Sequence, residues 1–199
     1  MNKKIFSTAV VFTMALVFFA SCGARNKCTL TTDEGVVING VRWATRNVDA
    51  PGTFAPYPES PGMLFQWNRK KGWNATDREV EGWDSTPAEG TKWYAENDPC
   101  PQGWRVPTFE EFQYLRHTDN EWTIQNGVEG RLFGTYPYQI FFPVTSWRQG
   151  WDGVLGYAGA NATLYWGSTR GVIFHSVLGV GNACGDWRNT ASAVRCVAK

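Results

Sequence analysis

The segment Asp98-Pro99-Cys100-Pro101-Gln102-Gly103-Trp104-Arg105-Val106-Pro107-Thr108-Phe109-Glu110-Glu111-Phe112 constrains the fold of this chain more than any other. The Pro107 ring crowds the residue before it, which disfavours helical geometry at Val106. Thr108 is then placed to cap a helix, and Glu111, three residues on, can return its carboxylate to the Thr108 amide. A helix is therefore predicted from Phe109 to His117, with Phe109, Phe112 and Leu115 as its apolar stripe. Glu110 and Glu111 suit its first turn because aligned peptide dipoles favour negative charge there. Adjacent helical residues do not share a face, so the pair is not read as an acid–base couple.

The rest of the chain reads as strands and loops. Val36-Val37-Ile38 and Val41-Arg42-Trp43 flank Asn39-Gly40, a two-residue hairpin signal. Four prolines make Asp49 to Met63 a loop. Residues 65–97, which carry Trp67, Trp73, Trp83 and Trp93, are expected to form a long excursion held down by its indoles. Turns are expected to dominate Glu121 to Thr135, with Gly127, Gly130 and Gly134. Residues 139–144 are a buried-strand candidate in which Pro143 marks an edge or a bulge. The glycine-rich Trp147 to Asn161 is expected to be a loop. Strands are expected at Leu164-Tyr165-Trp166, Val172-Ile173-Phe174 and residues 192–197, with Gly179 to Thr190 as loop or irregular turn. Eleven Trp, seven Tyr and twelve Phe are more than a chain of this length needs for one core, yet core packing accounts for most of them.

Four motifs occur in order: residues 37–47 (Val-Ile-Asn-Gly-Val-Arg-Trp-Ala-Thr-Arg-Asn), the Pro99 to Glu111 turn and helix start, Tyr165-Trp166-Gly167-Ser168-Thr169, and Val194-Arg195-Cys196-Val197. Together they closely resemble the Fibrobacter succinogenes major paralogous domain of bacterial surface lipoproteins, over residues 33–199. The resemblance implies an α+β, C-type-lectin-like domain with mixed and antiparallel strands, one or two helices and long loops on one side. It also implies that the N- and C-terminal strands lie together, and that Cys100 bonds Cys196, since the motifs carry cysteines at both positions. Closing so long a loop stabilises by about 4 kcal/mol in the chain-entropy picture. Cys28 and Cys184 remain either a second bridge or free thiols. Such domains are similar to the target proteins of diversity-generating retroelements, which vary adenine-containing codons near the C-terminus. From Ser168 to Ser192 only Trp187 is a residue that such variation of Asn codons cannot produce.

At the start of the chain, Lys3 and Lys4 precede an apolar run from Ala9 to Ala20 and a small-residue junction at Ser21-Cys22. This reads as a lipoprotein signal over residues 1–21, with Phe19 standing where Leu is usual. Cys22 would carry the lipid, residues 22–32 would form a tether, and residues 33–199 a single domain on the outer membrane, facing the cell surface. The apolar run is shorter than the roughly 20 residues a membrane-spanning helix needs. Without the signal, 17 basic residues face 18 acidic ones. No basic patch argues for nucleic acid.

His117 and His175 are the only histidines, and neither lies in a catalytic motif. The sequence contains no H-E-x-x-H, G-x-S-x-G, P-loop or C-x-x-C pattern. The triplets through which lectins hold calcium are also missing, and Arg69 follows Trp67-Asn68 with the wrong charge for a cation. No catalytic residue, metal or cofactor is therefore expected. A ligand-binding surface is expected from Arg170, Phe174, His175, Asn182, Asp186, Trp187, Arg188 and Asn189, with Trp187 and Arg188 as anchors. Rigid aromatic area, a forked donor and adaptable amides suit recognition of a protein or glycan. The alternation of Val172 and Phe174 with Ile173 and His175 does not say which face is outward. Two other readings compete with this adhesin: a structural subunit of a surface fibre or envelope assembly, and a degenerate relative of formylglycine-generating enzymes. For the fibre subunit, residues 29–32 are too short and polar to donate a strand.

Overall fold

Asn39 and Gly40 both take left-handed backbone angles, φ 49° and 81°, the geometry that lets a two-residue turn follow the twist of its strands. Strand β1 (Val36–Ile38) accordingly pairs antiparallel with β2 (Val41–Asn47), Ile38 opposite Val41. The computed structural model describes residues 32–156, 162–175, 179–182 and 187–199. The expected signal at 1–21, and Cys22, Cys28, Cys184 and Asp186, lie outside these residues. The excursion that follows β2 contains β3 (Leu64–Gln66), β4 (Gly72–Trp73) and a 3-10 turn at Ala95–Asn97. Then come β5 (Trp104–Arg105) and the helix α1 (Phe109–Arg116), followed by β6 (Asn120–Gln125), β7 (Val128–Thr135) and β8 (Tyr138–Pro143). Short strands β9 (Trp147–Arg148) and β10 (Leu155–Gly156) lead to β11 (Ala162–Trp166), β12 (Gly171–His175) and β13 (Gly179–Asn182). The chain ends with β14 (Ala191–Ser192) and β15 (Arg195–Ala198).

This is an α+β domain of mostly antiparallel sheets, with one α-helix among the described residues. Its strand orders are β1-β2-β15-β5, β10-β9-β14-β3-β4, β11-β12-β13 and β6-β7-β8. The first sheet joins the two ends of the domain, because β15 lies between β2 and β5. Cys196 on β15 is disulfide-bonded to Cys100, with Cα atoms 6.1 Å apart. The last strand is thereby tied to the approach of α1. At the start of α1 the expected reciprocal cap is present: the Glu111 amide donates to Thr108 Oγ1 at 3.2 Å, and the Thr108 amide to Glu111 Oε2 at 2.7 Å. Arg105 grips both Glu111 oxygens from β5, at 2.8 and 2.6 Å. Burial alone would raise the Glu111 carboxyl, but the Arg105 and Thr108 hydrogen bonds hold it below the usual carboxylate range.

Four expectations need correction. Residues 121–135 are strands, not turns: β6 and β7 pair over six positions around Asn126-Gly127, whose φ angles are 48° and 83°. The expected loop at 147–161 contains the β9–β10 hairpin, and the expected loop at 179–190 opens with β13. Phe174, expected on the ligand-facing surface, is fully buried instead. Its ring lies 5.0 Å from Phe142, 5.3 Å from Phe133 and 5.5 Å from Tyr165, inside a cluster that also includes Trp43 and Phe112. A second aromatic cluster holds Trp67, Trp93, Trp104, Trp166 and Phe54. The indoles Trp67, Trp73 and Trp93 do fasten the long excursion, since all three are buried.

Candidate functional site

The β9–β10 hairpin and the turn before β14 form the walls of one cleft of about 560 Å³, lined by Trp147, Gln149, Gly150, Trp151, Trp187, Asn189 and Thr190. The first wall is built around Arg148. Its chain neighbours Trp147 and Gln149 line the cleft, while its own side chain is driven fully inward. There its guanidinium donates to the carbonyl of Asn74 at 3.0 and 2.8 Å, to Asn74 Oδ1 at 2.9 Å, and to the carbonyls of Asp77 and Gly153 at 2.8 Å each. A planar fork of five donors can satisfy that many acceptors, which no other side chain could. Arg148 thus fixes the hairpin to the 74–77 turn from one side. From another, Trp83 donates its indole N–H to the Gly150 carbonyl at 2.9 Å. Trp83 also lies flat on Gly153 (φ 71°), where a Cβ would come within 2.5 Å of the ring.

The second wall is the turn 187–190, closed by the Thr190 amide donating to the Trp187 carbonyl at 2.7 Å. Its two middle residues are tied to the excursion. The Arg188 guanidinium stacks 4.5 Å from the Trp67 ring centre and donates to the Gly90 carbonyl. The Arg188 carbonyl accepts from the Trp67 amide at 3.1 Å. Asn189 donates to the Ser85 carbonyl at 3.0 Å, and its own carbonyl accepts from Gln66 Nε2 at 2.9 Å. The two walls meet where the Asn189 amide lies on Gly150, so close that a Cβ there would sit 2.4 Å from it. Between these anchored neighbours, Trp187 stands 52% exposed and Trp151, across the cleft, 72% exposed. Tyr57, Tyr136 and Tyr138 are also exposed, but Trp151 and Trp187 line one cleft together, and apolar area gathered in this way is a mark of an interaction site.

The structure brings together only part of the expected surface. Trp187 and Asn189 line the cleft. Arg188, expected as an anchor, turns away from it to stack on Trp67 and acts as a fastening for the turn. Arg170 belongs to another part of the molecule, its guanidinium 4.7 Å from the centre of the Phe109 ring at the start of α1. His175 and Asn182 lie on β12 and β13, and Asp186 falls outside the described residues. Trp147, Gln149 and Trp151 were not anticipated. The signal that could have found them is Trp147 and Trp151 recurring in a segment too rich in glycine to pack both indoles.

A second cavity of about 560 Å³ lies beside Lys92, Trp93, Asp98, Arg105, Thr108, Ser168 and Lys199. Three of its polar groups already have structural work. Asp98 accepts from the amides of Cys100 and Val106 at 2.9 and 3.1 Å, Arg105 pairs with Glu111, and Thr108 caps α1. Burial pushes the Asp98 carboxyl above its usual range in spite of those two amides. Among the described residues no group of three or more His, Cys, Asp or Glu side chains is placed to hold a metal ion. No described helix is long and apolar enough to cross a membrane.

Compared with known proteins, the chain matches no family model, no curated protein and no solved structure.

Proposed function

We propose that this protein is an adhesin-type envelope lipoprotein, anchored through Cys22, whose C-type-lectin-like domain binds its ligand in the cleft between Trp151 and Trp187. The observation that carries the reading is the pair of exposed indoles on opposite walls, each wall fixed from behind by hydrogen bonds to distant parts of the chain. Binding sites of this kind place rigid aromatic area at the contact and lock it in place with packing and supporting hydrogen bonds. The lectin-like assignment draws on the four sequence motifs. It is supported by the position of β15 between β2 and β5, which places the two ends of the domain side by side.

The test is an array of glycans and envelope proteins probed with the purified full chain and with Trp187→Ala. The reading expects ligands that the variant binds more weakly by about 2 kcal/mol or more, close to 30-fold. The variant's melting temperature should stay within about 2 °C of the parent, because a half-exposed ring leaves no cavity. Ligands bound equally by parent and variant would place the site elsewhere.

A further inference from the structure

The chemistry of the cleft identifies the class of ligand. None of its seven lining residues is charged. Arg148 and Arg188, the cations next in sequence to them, are turned away and engaged with carbonyls and a ring. Among the described lining residues a charged ligand would lose its hydration and find no charged partner. The described lining contains no Leu, Ile, Val or Met either, so it shows no pocket shaped for the branched anchors of an amphipathic helix. Beside it, β10 is the edge of its sheet among the described residues and only two residues long, too short to template an added peptide strand. What remains is flat indole area from Trp151, Trp187 and Trp147, with amides from Gln149 and Asn189 and the Thr190 hydroxyl close by.

Such a lining fits a molecule that is apolar on one face and carries donors and acceptors around its rim. A pyranose ring has that form: its axial C–H bonds make an apolar face, and its equatorial hydroxyls both donate and accept. Amides are matched to such hydroxyls because each carries a donor and an acceptor. The volume of about 560 Å³ falls within the range of small-molecule sites, about 300–1,000 Å³. Resting on the binding reading above, we propose that the cleft takes an uncharged saccharide, stacked between Trp151 and Trp187 with its hydroxyls directed to Gln149 and Asn189. Among the described lining residues there is no carboxylate to share a cation with the sugar, and the proposed mode uses no bridging metal.

The experiment titrates the full chain, in a detergent without a sugar headgroup, with a panel of neutral hexasaccharides: the β-glucan, xylan, mannan, galactan and chitin series. The readout is intrinsic tryptophan fluorescence, repeated with Trp151→Ala, Trp187→Ala and Gln149→Ala, each first checked for an unchanged melting curve. The expected result is saturable binding of at least one hexasaccharide, unaffected by EDTA. It should weaken at least tenfold in either tryptophan variant and severalfold in Gln149→Ala, which removes no ring. Binding that EDTA abolishes, or that survives both tryptophan substitutions, would overturn the proposal. So would failure of every hexasaccharide while a peptide or protein from the array binds in a Trp187-dependent manner, an outcome that keeps the binding site and changes its ligand. If nothing on the array or in the panel depends on Trp187, the binding reading itself falls.

Discussion

Among single residues, the buried polar ones decide most. Arg195 and Tyr165 are both fully buried at the seam between the terminal sheet and the aromatic core. Arg195 donates to Asn47 Oδ1 at 2.8 Å and to the carbonyls of Ala44 and Phe141 at 3.0 Å, with its guanidinium 4.6 Å from the Phe142 ring centre. The Tyr165 hydroxyl donates to the Pro143 carbonyl at 3.0 Å and accepts from Asn47 at 3.1 Å. Burial pushes the Tyr165 phenol from 10.0 up to about 12, although Arg195 and the Asn47 hydrogen bond favour the phenolate. In the unfolded chain the phenol ionises first, so its contribution to stability is complete below pH 10 and is lost as pH rises to about 12. Urea denaturation across that window should therefore show a fall in stability that is shallower in Tyr165→Phe. An equal slope in the two proteins would mean that Tyr165 ionises as easily folded as unfolded. Neither role was legible from sequence: Arg195 and Tyr165 are recognisable as motif members, but their common partner, Asn47, lies more than 100 residues away from each. Phe174 shows the same limit, because alternation along a strand defines two faces without saying which of them meets the core.

At the level of elements, local chemistry was readable where a short segment carries its own instruction. The Thr108–Glu111 cap and the Asn39-Gly40 turn are of this kind, and both are present as expected. Asn126-Gly127 carries the same turn signal, yet the glycines around it argued for turns throughout. Gly130 and Gly134 instead sit within β7 where neighbouring groups crowd it, Phe141 and the Tyr138 carbonyl respectively. The β9–β10 hairpin was not legible, because what makes it a hairpin is Arg148 reaching acceptors on Asn74 and Asp77, over 70 residues earlier. Replacing that side chain tests the point. Arg148→Met leaves the buried Gly153 carbonyl and the part-buried Asn74 and Asp77 carbonyls short of donors, and a buried group so left costs about 1–3 kcal/mol. A loss of about 2–3 kcal/mol is expected, lowering the melting temperature by about 5–10 °C for a domain of this size. Arg148→Lys should recover little of it, since an ammonium cannot serve acceptors on two segments at once. A melting temperature near that of the parent in Arg148→Met would show that the hairpin is held by other means.

For the whole molecule, the arrangement separates what holds the fold from what meets a ligand. The disulfide from Cys100 to Cys196, the cap of α1 and the two aromatic clusters fasten the terminal sheet and the core. The cleft lies on the other large sheet, where β9 and β14 bring its two walls together. Substitutions at Trp151 or Trp187 should therefore change binding without changing folding, while those at Arg148 should change both. The most direct measurement is a two-dimensional NMR titration of the full chain with its eleven tryptophan indoles labelled with nitrogen-15. The ligand is the one that binds most tightly on the array. The indole N–H signals of Trp151 and Trp187 should shift progressively and saturate together, while those of the fully buried Trp43 and Trp67 stay in place. Saturable binding that leaves Trp151 and Trp187 unmoved, or that shifts Trp93 and Trp104 instead, would contradict the assignment of the cleft as the binding site.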